Sequence, residues 1–164
     1  VSRMESDFKT QVLEWKNTLL RGEDSRKREL HWSAFQAAEK RVADAAKALE
    51  PQLTDAAEKA ALQKFTQAHA QMAQGYRKGF EVFQSLGFVP SAGDADVADI
   101  DQGPAQLLAA LSQQVAASSA AIAQAAAQEA RSALVSSLVA LALVTALGVC
   151  AGWLLTRSVV RPLA

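Results

Sequence analysis

ALVSSLVALALVTALGVCAGWLLT, residues 133–156, runs for 24 positions without a charged side chain. As an α-helix it would be about 36 Å long, enough to cross a hydrocarbon core of roughly 30 Å with some tilt. Arg131 precedes the run, Arg157 and Arg161 follow it, and no Asp or Glu lies beyond it. The positive-inside bias therefore predicts a cytoplasmic C-terminal end and places residues 1–132 outside. Trp153 suits a membrane interface, and Gly148 with Gly152 forms a G-x-x-x-G that lets two such helices approach closely. A signal peptide is excluded by position, since those segments are N-terminal. The alternative, an apolar helix buried in a soluble core, needs more surrounding chain than 164 residues supply.

Working outward, residues 1–132 are enough for one domain and carry 15 basic against 17 acidic side chains. A charge near −2 gives no general attraction to nucleic acid, so no nucleic-acid partner is expected. Cys150, the single cysteine, lies inside the apolar run, which leaves the outer part without a disulfide framework or a cysteine-based metal site. Abundant alanine and few aromatics point to long helices. Because the chain begins at Val1, an earlier membrane helix is expected just upstream.

Four helical stretches are predicted. The first covers residues 1–21, with Met4, Phe8, Val12, Trp15 and Leu19 on one stripe, and stops at Gly22. The second starts with Ser25 as N-cap and ends before Pro51, burying Trp32, Phe35, Val42, Ala46 and Leu49. The third opens near Thr54 and Asp55, where Asp55 and Glu58 suggest a capping box, and carries Leu62, Phe65, His69, Met72, Tyr76, Phe83 and Leu86 on its stripe. A loop with four aspartates follows. Pro104 then starts a fourth helix, with Leu108, Leu111, Val115, Ser118, Ile122 and Ala125 inside, which meets no breaker before the apolar run. The lengths predict an all-α fold: an up-down antiparallel four-helix bundle whose last helix continues into a transmembrane helix. Counted back from the tip, Trp15, Trp32, Tyr76 or Phe80, and Leu111 reach one height, which predicts an aromatic layer.

No arrangement supports catalysis. His31 and His69 lie on different helices, with no nucleophile placed beside either by spacing, and His69 reads as a hydrogen-bonded core histidine. Asp94, Asp96, Asp99 and Asp101 lack the glycine and final glutamate of an EF-hand, so a solvated loop capping the fourth helix is the better reading. No haem or zinc motif appears, and no cofactor or metal is expected. The best candidates for binding a small anion are Lys16 and Arg21 with Arg26, helped by Asn17 and flanked by Trp15 and Trp32. Such cations can pair with a carboxylate or phosphate, Arg with two parallel bonds. Arg21 has a structural alternative, capping the first helix through its dipole.

The stretch FKTQVLEWKNTLLRG, residues 8–22, resembles the end of the first periplasmic helix in the bacterial methyl-accepting chemotaxis proteins, with Leu13 standing where Gln is usual. Trp32 and Phe35 are similar to the aromatic pair that follows there. His69, Met72 and Tyr76 match an H-x-x-M-x-x-x-Y spacing, and Val97, Ile100, Asp101 and Pro104 match the segment opening the last helix. The end, Ser158 to Leu163, is similar to the start of a HAMP linker. The resemblance implies a periplasmic four-helix sensor (residues 1–132), a transmembrane helix (133–156) and the start of a cytoplasmic HAMP linker (157–164). It further implies a homodimer in the inner membrane that senses a small molecule. Its missing cytoplasmic part would control a chemotaxis histidine kinase through a coupling protein. The same input can serve a sensor kinase or a diguanylate cyclase, and a structural coiled-coil protein would show unbroken heptads instead.

Overall fold

A computed structural model describes residues 1–95, 97–155 and 157. Asp96 of the acidic loop and the HAMP-like residues 158–164 lie outside the described residues. Among those described, all regular structure is helical: α1 (Ser2–Leu20), α2 (Ser25–Leu49), a 3-10 turn (Glu50–Gln52), α3 (Ala56–Ser85), α4 (Pro90–Ala95) and α5 (Gln102–Leu155). The chain forms two compact units, residues 1–117 and a second beginning at Ser118.

In the first unit, cross-helix pairs fix the topology. Asp7 bonds Arg41 at 2.6 Å, and Trp15 meets Trp32 with ring centroids 6.3 Å apart, so α1 and α2 run antiparallel. Phe8 meets Phe65 at 6.2 Å and Trp15 meets Tyr76 at 4.9 Å, so α3 runs with α1. Met4, Phe8, Trp15, Phe35, Val42, Leu62, Phe65, Met72 and Phe83 share one core with Leu108 and Leu111 of α5. Burying a ring such as Phe35 or Phe65 contributes about 1.5–3 kcal/mol, whereas an exposed ion pair such as Lys40 with Asp44 contributes about 0–1 kcal/mol. The apolar stripe, not the charge pattern, holds the unit together.

The helix ends follow local chemistry, with two departures from expectation. Asp24, one residue before Ser25, is the N-cap of α2, accepting from the amides of Arg26 and Lys27. A carboxylate accepts two amides where a hydroxyl offers weaker acceptance, and the Lys27 amide holds the Asp24 carboxyl below its ordinary value. Asp55 caps α3 as expected, accepting from Ala57 and Glu58. That helix stops where Gly87 takes a φ of 72° and the Phe88 amide reaches back to the Phe83 carbonyl. The second departure is α4, one and a half turns of helix inside the segment expected to be loop; Pro90 opens it and α5 then starts at Gln102, two residues ahead of Pro104.

The stripe read on the last helix is only half buried. Leu108 and Leu111 are core, Val115 and Ser118 are partly covered, but Ile122 is 68% exposed and Ala125 is exposed. Ile122 is the one large apolar side chain between residues 116 and 130, and alanine methyls offer little area to bury. From Ser118 on, α5 is described by itself as an exposed helix, and its most apolar window has a mean hydropathy of 2.4. By length and composition it is the one helix among the described residues able to cross a membrane.

Candidate functional site

The expected aromatic layer is present at the end of the first unit where α1 turns into α2. Trp32 stacks on Phe80 at 4.0 Å and on Phe35 at 4.9 Å, with interplanar angles of 3° and 5°. Trp15 packs against Trp32, Phe35 and Tyr76 and is 1% exposed. Rings at these separations gain about 0.5–1.5 kcal/mol beyond their area. Of the candidate site residues, Trp15 therefore serves the core, while Trp32 is half-buried with neighbouring rings stacked on it.

Close helix contact makes this packing possible. A Cβ at Gly79 would stand 2.8 Å from the Gly93 carbonyl oxygen and 3.3 Å from Cη2 of Trp15, so only glycine lets α4 lie this near α3. Burial raises the Tyr76 hydroxyl well above its ordinary value, and the Asp101 and Asp94 carboxylates push in the same direction. Tyr76 is thus a neutral donor at any physiological pH.

The cations divide. Lys16 is exposed and lines a groove of about 310 Å³ between α1 and α4, with Leu19, Leu20, Pro90, Ser91 and Asp94. Asn17, Arg21 and Arg26 do not line that groove. Asn17 is half-buried and its carbonyl accepts from the Arg21 amide. Arg21 and Arg26 are exposed around the α1–α2 turn, and neither forms an ion pair among the described residues. These two guanidiniums flank the exposed carboxylates Glu23 and Asp24 in the same turn, Asp24 being paired with Lys27, while Asp94 beside Lys16 weakens that groove for an anion.

Two features were not anticipated. Glu14 and His31 bond at 2.6 Å across α1 and α2, in the antiparallel register that also pairs Asp7 with Arg41. Arg28 donates to the Gly22 carbonyl while its guanidinium lies 3.7 Å from the Phe88 ring centroid, tying the first turn to the loop after α3. No local spacing reveals either; the register does, once α1 and α2 are taken as a hairpin. His69 is the expected core histidine, 4% exposed, with Nε2 2.7 Å from Gln11 Oε1. Among the described residues no three His, Cys, Asp or Glu side chains gather as a metal site.

No protein-family model matches the chain, and no solved structure matches it. It is 32% identical over 160 residues to the methyl-accepting chemotaxis protein CtpH of Pseudomonas aeruginosa, an alignment covering 94% of this chain. The chain spans 27% of that relative's length. The resemblance to the chemotaxis receptors, read in the sequence from residues 8–22 and from motifs further along the chain, is matched by this alignment over nearly the whole chain.

Proposed function

We propose that this chain, a relative of the methyl-accepting chemotaxis proteins, is the sensory and membrane-crossing part of a chemoreceptor and not an enzyme. Residues 1–132 lie in the periplasm, 133–156 cross the inner membrane, and 157–164 open a HAMP linker. The observation that carries this reading is α5, one helix from Gln102 to Leu155 whose apolar portion is wholly exposed, in a chain 32% identical to a chemotaxis receptor. Arg157 lies 5.3 Å from the Trp153 ring centroid, a cation and an amphipathic ring grouped as at a membrane interface, which supports a cytoplasmic C-terminal side.

The receptor works as a homodimer and senses a small molecule bearing a carboxylate or phosphate. Arg21 and Arg26 hold the anion, Asn17 adds a hydrogen bond, and Lys16 adds long-range attraction. Binding favours one of two helix arrangements, and the shift of one or two ångströms runs along α5 to HAMP, a coupling protein and a histidine kinase. Isothermal titration of the full chain in detergent micelles against organic acids, amino acids and inorganic phosphate tests the site. One of these is expected to bind saturably, with affinity falling about tenfold or more in Arg21→Ala, as for one lost charge-assisted bond. Unchanged affinity in that variant rejects these residues.

A further inference from the structure

Among the described residues, two buried side-chain nitrogens, Gln11 Nε2 and Trp15 Nε1, have no hydrogen-bond partner. Both are donors, and both sit on α1 one turn apart, a spacing that puts their side chains on one face with Cβ atoms about 5–6 Å apart. Helical side chains lean toward the helix N-terminus, so the Trp15 indole leans over Gln11. The other end of the same amide is engaged: Gln11 Oε1 is 2.7 Å from His69 Nε2. In this orientation His69 must carry a proton on Nε2, as the imidazolium or as one neutral tautomer, and two buried donors lack acceptors.

A half-turn of the amide about its last bond removes both deficits. Nε2 would then donate to a bare His69 Nε2, whose proton sits on Nδ1, and Oε1 would stand where Nε2 now lies unpartnered, on the helix face that Trp15 shares. We propose that Gln11 is a rotary link between His69 and Trp15: with His69 neutral the amide bridges both, and when His69 takes up a proton the amide turns over and the indole loses its acceptor. The balance is simple. One proton from solvent adds to the imidazole, no covalent bond other than N–H changes, the Gln11–His69 hydrogen bond reverses its direction, and the Trp15–Gln11 hydrogen bond is lost.

The surroundings fit a group that stays neutral at ordinary pH. His69 stacks on Phe65 at 5.6 Å and lies 6.0 Å from Phe8, and burial pushes its proton affinity below the ordinary value. Glu39 of α2 is the charged group acting on it, in the opposing direction, and Glu39 is itself clamped by Arg77 of α3 at 2.7 Å and 2.8 Å. From α1 it meets uncharged Gln11 and Phe8, and α5 brings Leu108 and Leu111 to this core, with Ala105, Leu107 and Val115 packed against it. The nearby carboxylate of α1, Glu14, is taken by His31. Trp15 in turn belongs to the layer with Trp32 and Tyr76, so a proton gained at His69 is felt at the α1–α2 tip.

The test uses the full chain in detergent micelles, labelled with nitrogen-15 in histidine and tryptophan. At about pH 8, above the histidine range, His69 is expected as the Nδ1–H tautomer with bare Nε2, and the Trp15 indole proton is expected to exchange slowly. On acidification the Trp15 resonance should move with the same midpoint as His69, and its exchange should quicken about tenfold, as for one lost hydrogen bond. In Gln11→Met the Trp15 response to pH should vanish. An Nε2–H tautomer at the higher pH, or a Trp15 signal indifferent to His69 titration, overturns the proposal. Should Gln11→Met not fold, the tautomer and the shared midpoint in the unaltered chain decide alone.

Discussion

Alanine in place of Gly79 probes a close approach of one helix backbone to another in the first unit. The new Cβ would sit 2.8 Å from the Gly93 carbonyl oxygen, 3.0 Å from Val97 Cγ1 and 3.3 Å from Trp15 Cη2. The nearest atom belongs to the backbone of α4, so relief requires that helix to move; no side-chain rotation suffices. Overpacking of this kind costs about 1–3 kcal/mol, while alanine in a helix interior regains about 0.5–1 kcal/mol over glycine. Those two ranges leave a net loss of up to about 2.5 kcal/mol, and the upper part is expected because a backbone atom has to move. Denaturant unfolding of the full chain in mild detergent, followed by circular dichroism, measures it. Gly103→Ala is the control, because a Cβ there meets nothing within 4 Å, and it should be neutral or slightly stabilising. If Gly79→Ala proved as stable as the unaltered chain, α4 would not rest on α3 as described, and the account of the aromatic layer would fail with it.

Asp55→Ala removes the acceptor for two α3 amides and should cost about 1 kcal/mol in the same unfolding assay, whereas Asp55→Asn should cost far less. Buried His69 resists a proton that the unfolded chain accepts, so stability should be full above its ordinary value of 6.5 and fall as the pH drops through and below it. Asp24, held below 3.8, contributes stability that is lost only at still lower pH, as the carboxylate protonates. Thermal melts from about pH 8 down to about pH 2 check both, and a flat profile around the histidine range would remove His69 from the explanation. Two glycines inserted after Arg131 should uncouple ligand from output when the chain is fused to a chemoreceptor signalling domain; normal signalling by that fusion would reject transmission through a stiff α5.

The helices and their buried faces were legible because one periodic signal ran uninterrupted through Met4, Phe8, Trp15 and Leu19, and again from Leu62 to Phe83. Lengths counted from the tip placed Trp15 and Trp32 together correctly. What escaped was information held between elements. α4 hides in a segment of Pro, Gly and Asp whose local preference is for turns, and it is stabilised by resting Gly93 against Leu19 and Phe83. Ser25 looked like the cap because hydroxyls are favoured there, but the carboxylate one residue earlier is the better acceptor. The same 3.6-residue spacing that marked Leu108 and Leu111 carried on to Ile122, where methyl groups were too small to make the pattern into a buried face. For the candidate anion site, Arg21 and Arg26 were readable as cations at one turn, but only coordinates separate them from the groove that holds Lys16.

The sparse stretch from 116 to 130 has a mechanical corollary. With eleven of its fifteen side chains single methyls or hydroxymethyls, and only Ile122, Gln124, Gln128 and Glu129 longer, such a cylinder presents few knobs to catch on whatever lies alongside it. Sliding or twisting by a fraction of a turn trades one shallow contact for an equal one, so friction along these fifteen positions is low. In the proposed receptor, such a segment would absorb little of a shift passed along it.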